Sequence, residues 1–138
     1  MLSAGARFLG DRFHASPTAE KGACGAMDLK SVEALKLWHD VVTDTVRDEG
    51  PDLSSRQMAI LLTVYLSPPP HTVRGLSEGL NISKPAITRA LDAMGRIDLL
   101  KRKRDDNDRR NVLVQRTVKG SVYLSEFAEL IAKHAKDI

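Results

Sequence analysis

Apolar residues recur at helical spacing in five stretches of this chain and alternate in two short ones. From Asp28 to Asp48, Val32, Leu35, Trp38, Val42 and Val46 form one stripe and Ala34, Leu37 and Val41 a second, which predicts a helix with a wider apolar face than a single contact surface would use. Gly50-Pro51-Asp52 breaks it. Ser54, followed three residues later by Gln57, makes a capping box for the next helix, whose buried face is expected at Met58, Leu61, Leu62 and Tyr65. Ser67-Pro68-Pro69-Pro70 ends that helix, because proline offers no amide hydrogen and crowds the turn before it.

Two short helices follow, joined by a tight turn. Thr72 is placed to cap the first, which runs through Leu80 with Val73, Leu76 and Leu80 inward. Asn81 stands where a left-handed turn residue is needed, a conformation that Asn tolerates. Ser83 caps the second helix, Lys84 to about Ile97, and Pro85 falls in its first turn, where its missing N–H costs nothing. Ala86, Ile87, Ala90, Leu91, Met94 and Ile97 would face inward, leaving Lys84, Pro85, Thr88, Arg89, Asp92 and Arg96 outward. Leu99–Arg104 and Asn111–Arg116 read as two strands joined by the polar turn Asp105–Arg110. Thr117 caps a last helix with Tyr123, Phe127, Leu130 or Ile131, and His134 on one side and Leu124, Ala128, Ile131 and Ala135 on another. Like the first helix, it has more apolar surface than one small domain would cover.

The expected fold is therefore mainly α with a small β-hairpin: a winged helix-turn-helix unit over residues 27–138, flanked by N- and C-terminal dimerisation helices, with its DNA-reading part at 72–116. Residues 1–26, rich in Ala, Gly and Ser without a sustained period, read as a flexible N-terminal arm or a mis-assigned start, with Met27 an alternative initiator. The order of parts is that of proteins which place one helix in a DNA major groove with a charged ribbon beside it.

Charge supports the same reading. From His71 to Arg116 the chain carries 11 Lys and Arg against 6 Asp and Glu, a balance of +5 where the whole chain is only +3, so the positive field is concentrated on this segment. Six cations (Lys101, Arg102, Lys103, Arg104, Arg109 and Arg110) lie in ten residues. Internal pairing with Asp105, Asp106 and Asp108 is the bland account of them. Four of the cations precede the acidic tip, however, an asymmetry that a phosphate-facing strand explains better. Short or polar side chains on the outward N-terminal turns of the second helix (Ser83, Thr88, Arg89) would let it enter a groove, and Arg can pair bidentately with guanine.

Other classes find little support. One cysteine, Cys24, excludes an intramolecular disulfide, and four scattered histidines lack metal-ligand spacing. A reducing cytoplasm fits. No apolar run approaches a membrane span of about 18 residues. No nucleophile with an adjacent base, glycine-rich phosphate loop or metal cluster points to an enzyme or a cofactor.

The segment ISKPAITRALDAMGRIDLLKRKRDDNDRRNVLVQRTVKG resembles the recognition helix, wing and following helix start of the multiple-antibiotic-resistance regulator (MarR) family. That family's wing signature is D-x-R, five residues, then L-T; here Asp108 and Arg110 match, and Thr117 and Gly120 fall in register. The resemblance covers the chain from about Asp28 onward. It implies a homodimeric regulator that binds pseudo-palindromic double-stranded DNA and is often released by a small phenolic or lipophilic effector. Carried over by position, Ser83, Lys84, Pro85, Thr88 and Arg89 would meet the major groove. Arg109 and Arg110 would reach backbone or minor groove, with Asp108 orienting the arginine, and Thr72 and Arg104 complete the candidate DNA contacts.

Two positions, and the number of helices after Thr117, depart from the family pattern. Arg116 occupies the leucine of the signature, so the buried contact at the wing base is either absent or replaced by an arginine stem. Asp98 stands where the family usually has glycine, at a position expected to be left-handed. Only one helix, of about 30 Å, follows Thr117 where the family usually adds another, so the dimer contact is expected to be smaller, differently built or supplemented by the arm. Trp38, His39, Tyr65 and His71 are candidates to line an effector cavity, although aromatics at helical spacing are more often core. One branch of the family senses hydroperoxide through a lone cysteine, but Cys24 lacks a local activator and the inert reading is preferred. The competing reading is a winged-helix module that holds a protein partner and no longer reads DNA.

Overall fold

The computed structural model describes residues 29–138; the arm at 1–26, with Cys24, lies outside them. Five helices and three strands follow in the order α1 (Ser31–Arg47), α2 (Ser55–Leu66), β1 (His71–Thr72), α3 (Val73–Leu80), α4 (Lys84–Arg96), β2 (Leu100–Arg104), β3 (Val112–Arg116) and α5 (Val118–Lys136). The expected caps form. Gln57 N–H donates to Ser54 Oγ (3.1 Å) and Ser54 N–H to Gln57 Oε1 (2.9 Å). Thr72, Ser83 and Thr117 hydroxyls accept from the amides of Gly75, Ala86 and Gly120, each satisfying a donor that the helix itself leaves open. Asn81 takes φ 54° and Asp98 φ 59°, the left-handed conformation that both positions called for.

The wing is larger than a hairpin. His71 and Thr72 pair antiparallel with Val114 and Leu113, so the sheet has three strands in the order β1-β3-β2. Leu100 pairs with Arg116 and Arg104 with Val112 at the two ends of the β2–β3 ladder. Two residues are too few for a periodic signal, which is why β1 is invisible in the pattern.

The core joins α2, α3, α4 and the wing base: Ile60, Leu61 and Val64, Leu76, Ile87, Leu91 and Met94, then Leu99, Leu100 and Val114. On α4 the inward face is the expected one. On α2 it is not, because Ile60, Leu61, Thr63 and Val64 are buried while Met58, Leu62 and Tyr65 are only half-buried. Almost every position from Met58 to Leu66 is apolar, so periodicity alone cannot choose the face, and packing against α4 and β3 does.

Two residues lock the wing base to α2. Tyr65 Oη accepts from Thr117 N–H (2.9 Å) and lies within donating distance of the carbonyls of Thr117 (3.0 Å) and Leu99 (3.2 Å). Arg116 does more than lay down an aliphatic stem. Its guanidinium donates to the carbonyls of Val64 (3.0 Å) and Ser67 (2.9 Å) and stands 5.6 Å from the Tyr65 ring centroid. It therefore closes the C-terminal end of α2, where free carbonyls and the helix dipole favour a cation. A Cβ at Gly120 would collide with the Tyr65 hydroxyl and the Leu99 carbonyl, so glycine lets α5 start this close to the wing.

Helix α1 packs on α5, and His134 Nε2 lies 2.7 Å from Asp44 Oδ2 between them. Only Val41 of α1 is buried. Its other apolar stripe is exposed, with Val32 at 77%, Leu35 at 70% and Trp38 at 57%.

Candidate nucleic-acid interface

Helix α3 packs on helix α4 across the turn at Asn81, and strand β2 of the wing packs on α4. The turn is held by Ile82 N–H donating to the Ser77 carbonyl (3.1 Å) and by Ser77 Oγ donating to the Ile82 carbonyl (2.6 Å). This fixes α4 relative to α3 through short-range bonds. The inward residues of α4 are anchored in the core, so its outward residues have no freedom to turn in.

Lys84, Thr88, Asp108 and Arg110 line a single groove between α4 and the wing, joined there by Arg74 of α3, Arg102 of β2 and Asn111. Four of these seven side chains are cations and one is an acid, so the groove is electropositive. Pro85 and Arg89 stand exposed on the same N-terminal half of α4. Ser83 and Thr72 have a defined first role as caps, with Ser83 Oγ 3.3 Å from Ala86 N and Thr72 Oγ1 2.9 Å from Gly75 N. Each keeps its own O–H to donate outward.

The wing tip is built by its acids. Asp108 Oδ1 accepts from Arg110 N–H (3.1 Å) and from Arg110 Nε (3.2 Å), and Asp105 Oδ1 accepts from Asn107 N–H (2.9 Å). Arg104 donates to the Arg109 carbonyl (2.8 Å) across the turn. Arg110 stays 91% exposed at the side chain although paired, so Asp108 aims it without neutralising its reach. Lys103 has a carboxylate at 4.0 Å in Asp106. Arg102 pairs with Asp92 of α4, a contact that ties wing to helix. Lys101 and Arg109 have no carboxylate partner among the described residues. Internal pairing thus accounts for part of the wing's charge and leaves the rest directed to solvent.

Arg74 and Arg102 belong to this surface in addition to the contacts expected from the sequence. Arg74 was detectable as the outward residue beside Val73 in the first turn of α3. For Arg102 the one available signal was its place among the wing cations, since its partner Asp92 lies on another element.

The four effector candidates do not converge. Trp38 and His39 stand exposed on α1, with His39 beside Asp40 at 3.2 Å. Tyr65 is bound into the wing base, and His71 is buried with Nε2 3.1 Å from the Ser67 carbonyl. Of the four, His71 alone lines one of the main cavities among the described residues. Among those residues no helix is long and apolar enough to cross a membrane, and no group of His, Cys, Asp or Glu could hold a metal ion.

Residues 53–112 match the model of the MarR family. A search of curated proteins gives no match. Solved structures with a similar fold include the transcriptional repressor CouR bound to a 23-mer DNA duplex, 24% identical over 88% of this chain and 82% of that one, with a TM-score of 0.62. A DNA complex of MepR from S. aureus is 18% identical over 75% and 79%, with a TM-score of 0.60. The regulator PcaV from Streptomyces coelicolor, with its natural ligand, is 24% identical over 80% of both chains, with a TM-score of 0.56. The matched segment takes in the capping box of α2, the helix-turn-helix and most of the wing, and the fold around it is the winged helix of these structures; residues 53–112 are MarR-family sequence, and members of that family are transcription regulators.

Proposed function

We propose that this chain is a sequence-specific DNA-binding regulator that acts as a homodimer on an inverted-repeat operator. The observation that carries the reading is the groove in which Lys84 and Thr88 of α4 face Arg102 and Arg110 of the wing. In this reading α4 enters the major groove, with Ser83, Lys84, Pro85, Thr88 and Arg89 at base edges and adjacent phosphates. Arg104, Arg109 and Arg110 meet backbone or minor groove, Asp108 holds the Arg110 guanidinium in position, and Thr72 and Arg74 hold phosphate at the start of α3. CouR and MepR, whose folds this chain resembles, are both seen bound to DNA, which supports the same partner here.

The exposed stripe of α1 supports the dimer. Val32, Leu35, Trp38 and Val46 are all more than half exposed, and Val118 and Val122 of α5 add to the uncovered apolar surface. Burying side chains of this size contributes about 1.5–3 kcal/mol each before the cost of association is met, which favours a second copy laid along α1. A small-molecule effector that loosens the grip on DNA completes the reading, supported by the similar fold of PcaV in complex with its natural ligand.

Selection of bound fragments from random duplex DNA tests it. The expected product is an inverted repeat with half-sites about 10 bp apart. Arg89→Ala should relax preference at particular base pairs, whereas Arg110→Ala should weaken all duplexes alike and lower the slope of affinity against salt by about 1. No duplex binding at low salt would overturn this reading in favour of a protein-interaction module.

A further inference from the structure

A cavity of about 360 Å³ lies between the C-terminal half of α1, the turn at Gly50-Pro51 and the middle of α5. It lies within one chain and is distinct from the electropositive groove. Tyr123, Phe127 and Leu130 form its apolar wall, with the two rings stacked at 6.4 Å and 16°. Asp44, Asp48 and Glu126 supply its charge, and no lining residue is cationic. Asp44 is held by His134, while Asp48 and Glu126 are exposed and make no ion pair among the described residues. The Tyr123 hydroxyl oxygen is buried beside this wall and has no hydrogen-bond partner among the described residues.

We infer that this cavity binds a small aromatic cation, its ring against Tyr123 and Phe127 and its positive group between Asp48 and Glu126. Aromatic faces carry negative potential and attract a cation that is partly withdrawn from water, and the carboxylates add to the same field. The field is registered by Tyr123 itself, whose phenol is pushed above its ordinary range by burial and by the negative charges of Asp52 and Asp48. A phenolate or carboxylate ligand would meet the same repulsion. The volume suits one or two rings. As a regulatory site it rests on the effector reading above, but its existence as a binding site does not.

Benzamidine and benzoate test the sign of charge, being planar, nearly equal in size and oppositely charged at neutral pH, with benzamide as the neutral control. Calorimetric titration of the full chain without DNA should show benzamidine binding and no benzoate binding. Asp48→Asn and Glu126→Gln should each weaken benzamidine about two- to fivefold, the range of a solvent-exposed ion pair. Benzoate binding as tight as benzamidine would overturn the inference. So would benzamidine binding that is undetectable, or that is unchanged in the Asp48→Asn/Glu126→Gln double variant. Duplex affinity measured in the absence of either compound reports on the DNA reading separately, so failure of one is not failure of the other.

Discussion

Replacing Tyr65 by phenylalanine isolates the bond network at the base of the wing. The ring remains, so its packing and the contact with the Arg116 guanidinium at 5.6 Å are kept, and only the hydroxyl is lost. That hydroxyl is the acceptor for Thr117 N–H at 2.9 Å and has carbonyls at 3.0 and 3.2 Å to choose between for its single proton. Thr117 Oγ1 lies 3.2 Å from the Leu99 carbonyl, but its single proton has a nearer acceptor in the Asp98 carbonyl at 2.7 Å. The Thr117 amide has no other acceptor among the described hydrogen bonds and becomes an unsatisfied donor in a half-buried site. A net hydrogen bond contributes about 0.5–1.5 kcal/mol, and a stranded buried donor costs about 1–3 kcal/mol. Partial solvent access lowers the second figure, so Tyr65→Phe should destabilise by about 1–2 kcal/mol. For a domain of this size that corresponds to a fall in midpoint of about 5–10 °C. Urea and thermal unfolding of both proteins at one fixed protomer concentration measure it, since a dimer's apparent stability moves with concentration. A difference below about 0.3 kcal/mol, within the scatter of such comparisons, would refute the claim that this hydroxyl secures the wing to α2.

Gly120→Ala should cost about 1–3 kcal/mol, because its Cβ meets the Tyr65 hydroxyl and the Leu99 carbonyl. Combining it with Tyr65→Phe should recover part of that loss, and strict additivity in chemical unfolding would show that the two do not share a site. Asp98→Gly should stabilise by about 0.5–1 kcal/mol, since φ at this position is 59° and glycine adopts it without penalty; a lower unfolding midpoint would contradict this. Trp38→Glu should shift the mass in sedimentation from dimer to monomer with unchanged circular dichroism, because the side chain is 57% exposed in the single chain; a dimer that persists would place the interface elsewhere.

What could be read from the sequence was whatever is decided within a few residues. A cap needs a hydroxyl and an amide three positions apart, so Ser54, Thr72, Ser83 and Thr117 announce their helices, and all four accept the expected bond. Asn81 marks a left-handed position for the same local reason, whereas the left-handed Asp98 was legible through the glycine that the resembled family has there. The inward and outward faces of α4 follow from a clean period, and with them the residues available to a groove. Asp108 and Arg110, two apart, pair as their spacing allows.

What only the tertiary structure decided depends on residues far apart in the chain. The buried side of α2 was undetermined because nearly all of its positions are apolar, and the choice fell to α4 and β3 packing on Ile60, Leu61 and Val64. The third strand exists because β3 offers His71 and Thr72 an edge. Arg116 reads as a departure from a family leucine until the fold brings it to the carbonyls of Val64 and Ser67, 52 and 49 positions away. Arg102 is one wing cation among six until Asp92 of α4 meets it. Hydrogen bonds within a turn are settled by a short stretch of chain, whereas the partner of a long polar side chain is settled by where the whole core has placed the nearest unsatisfied oxygen.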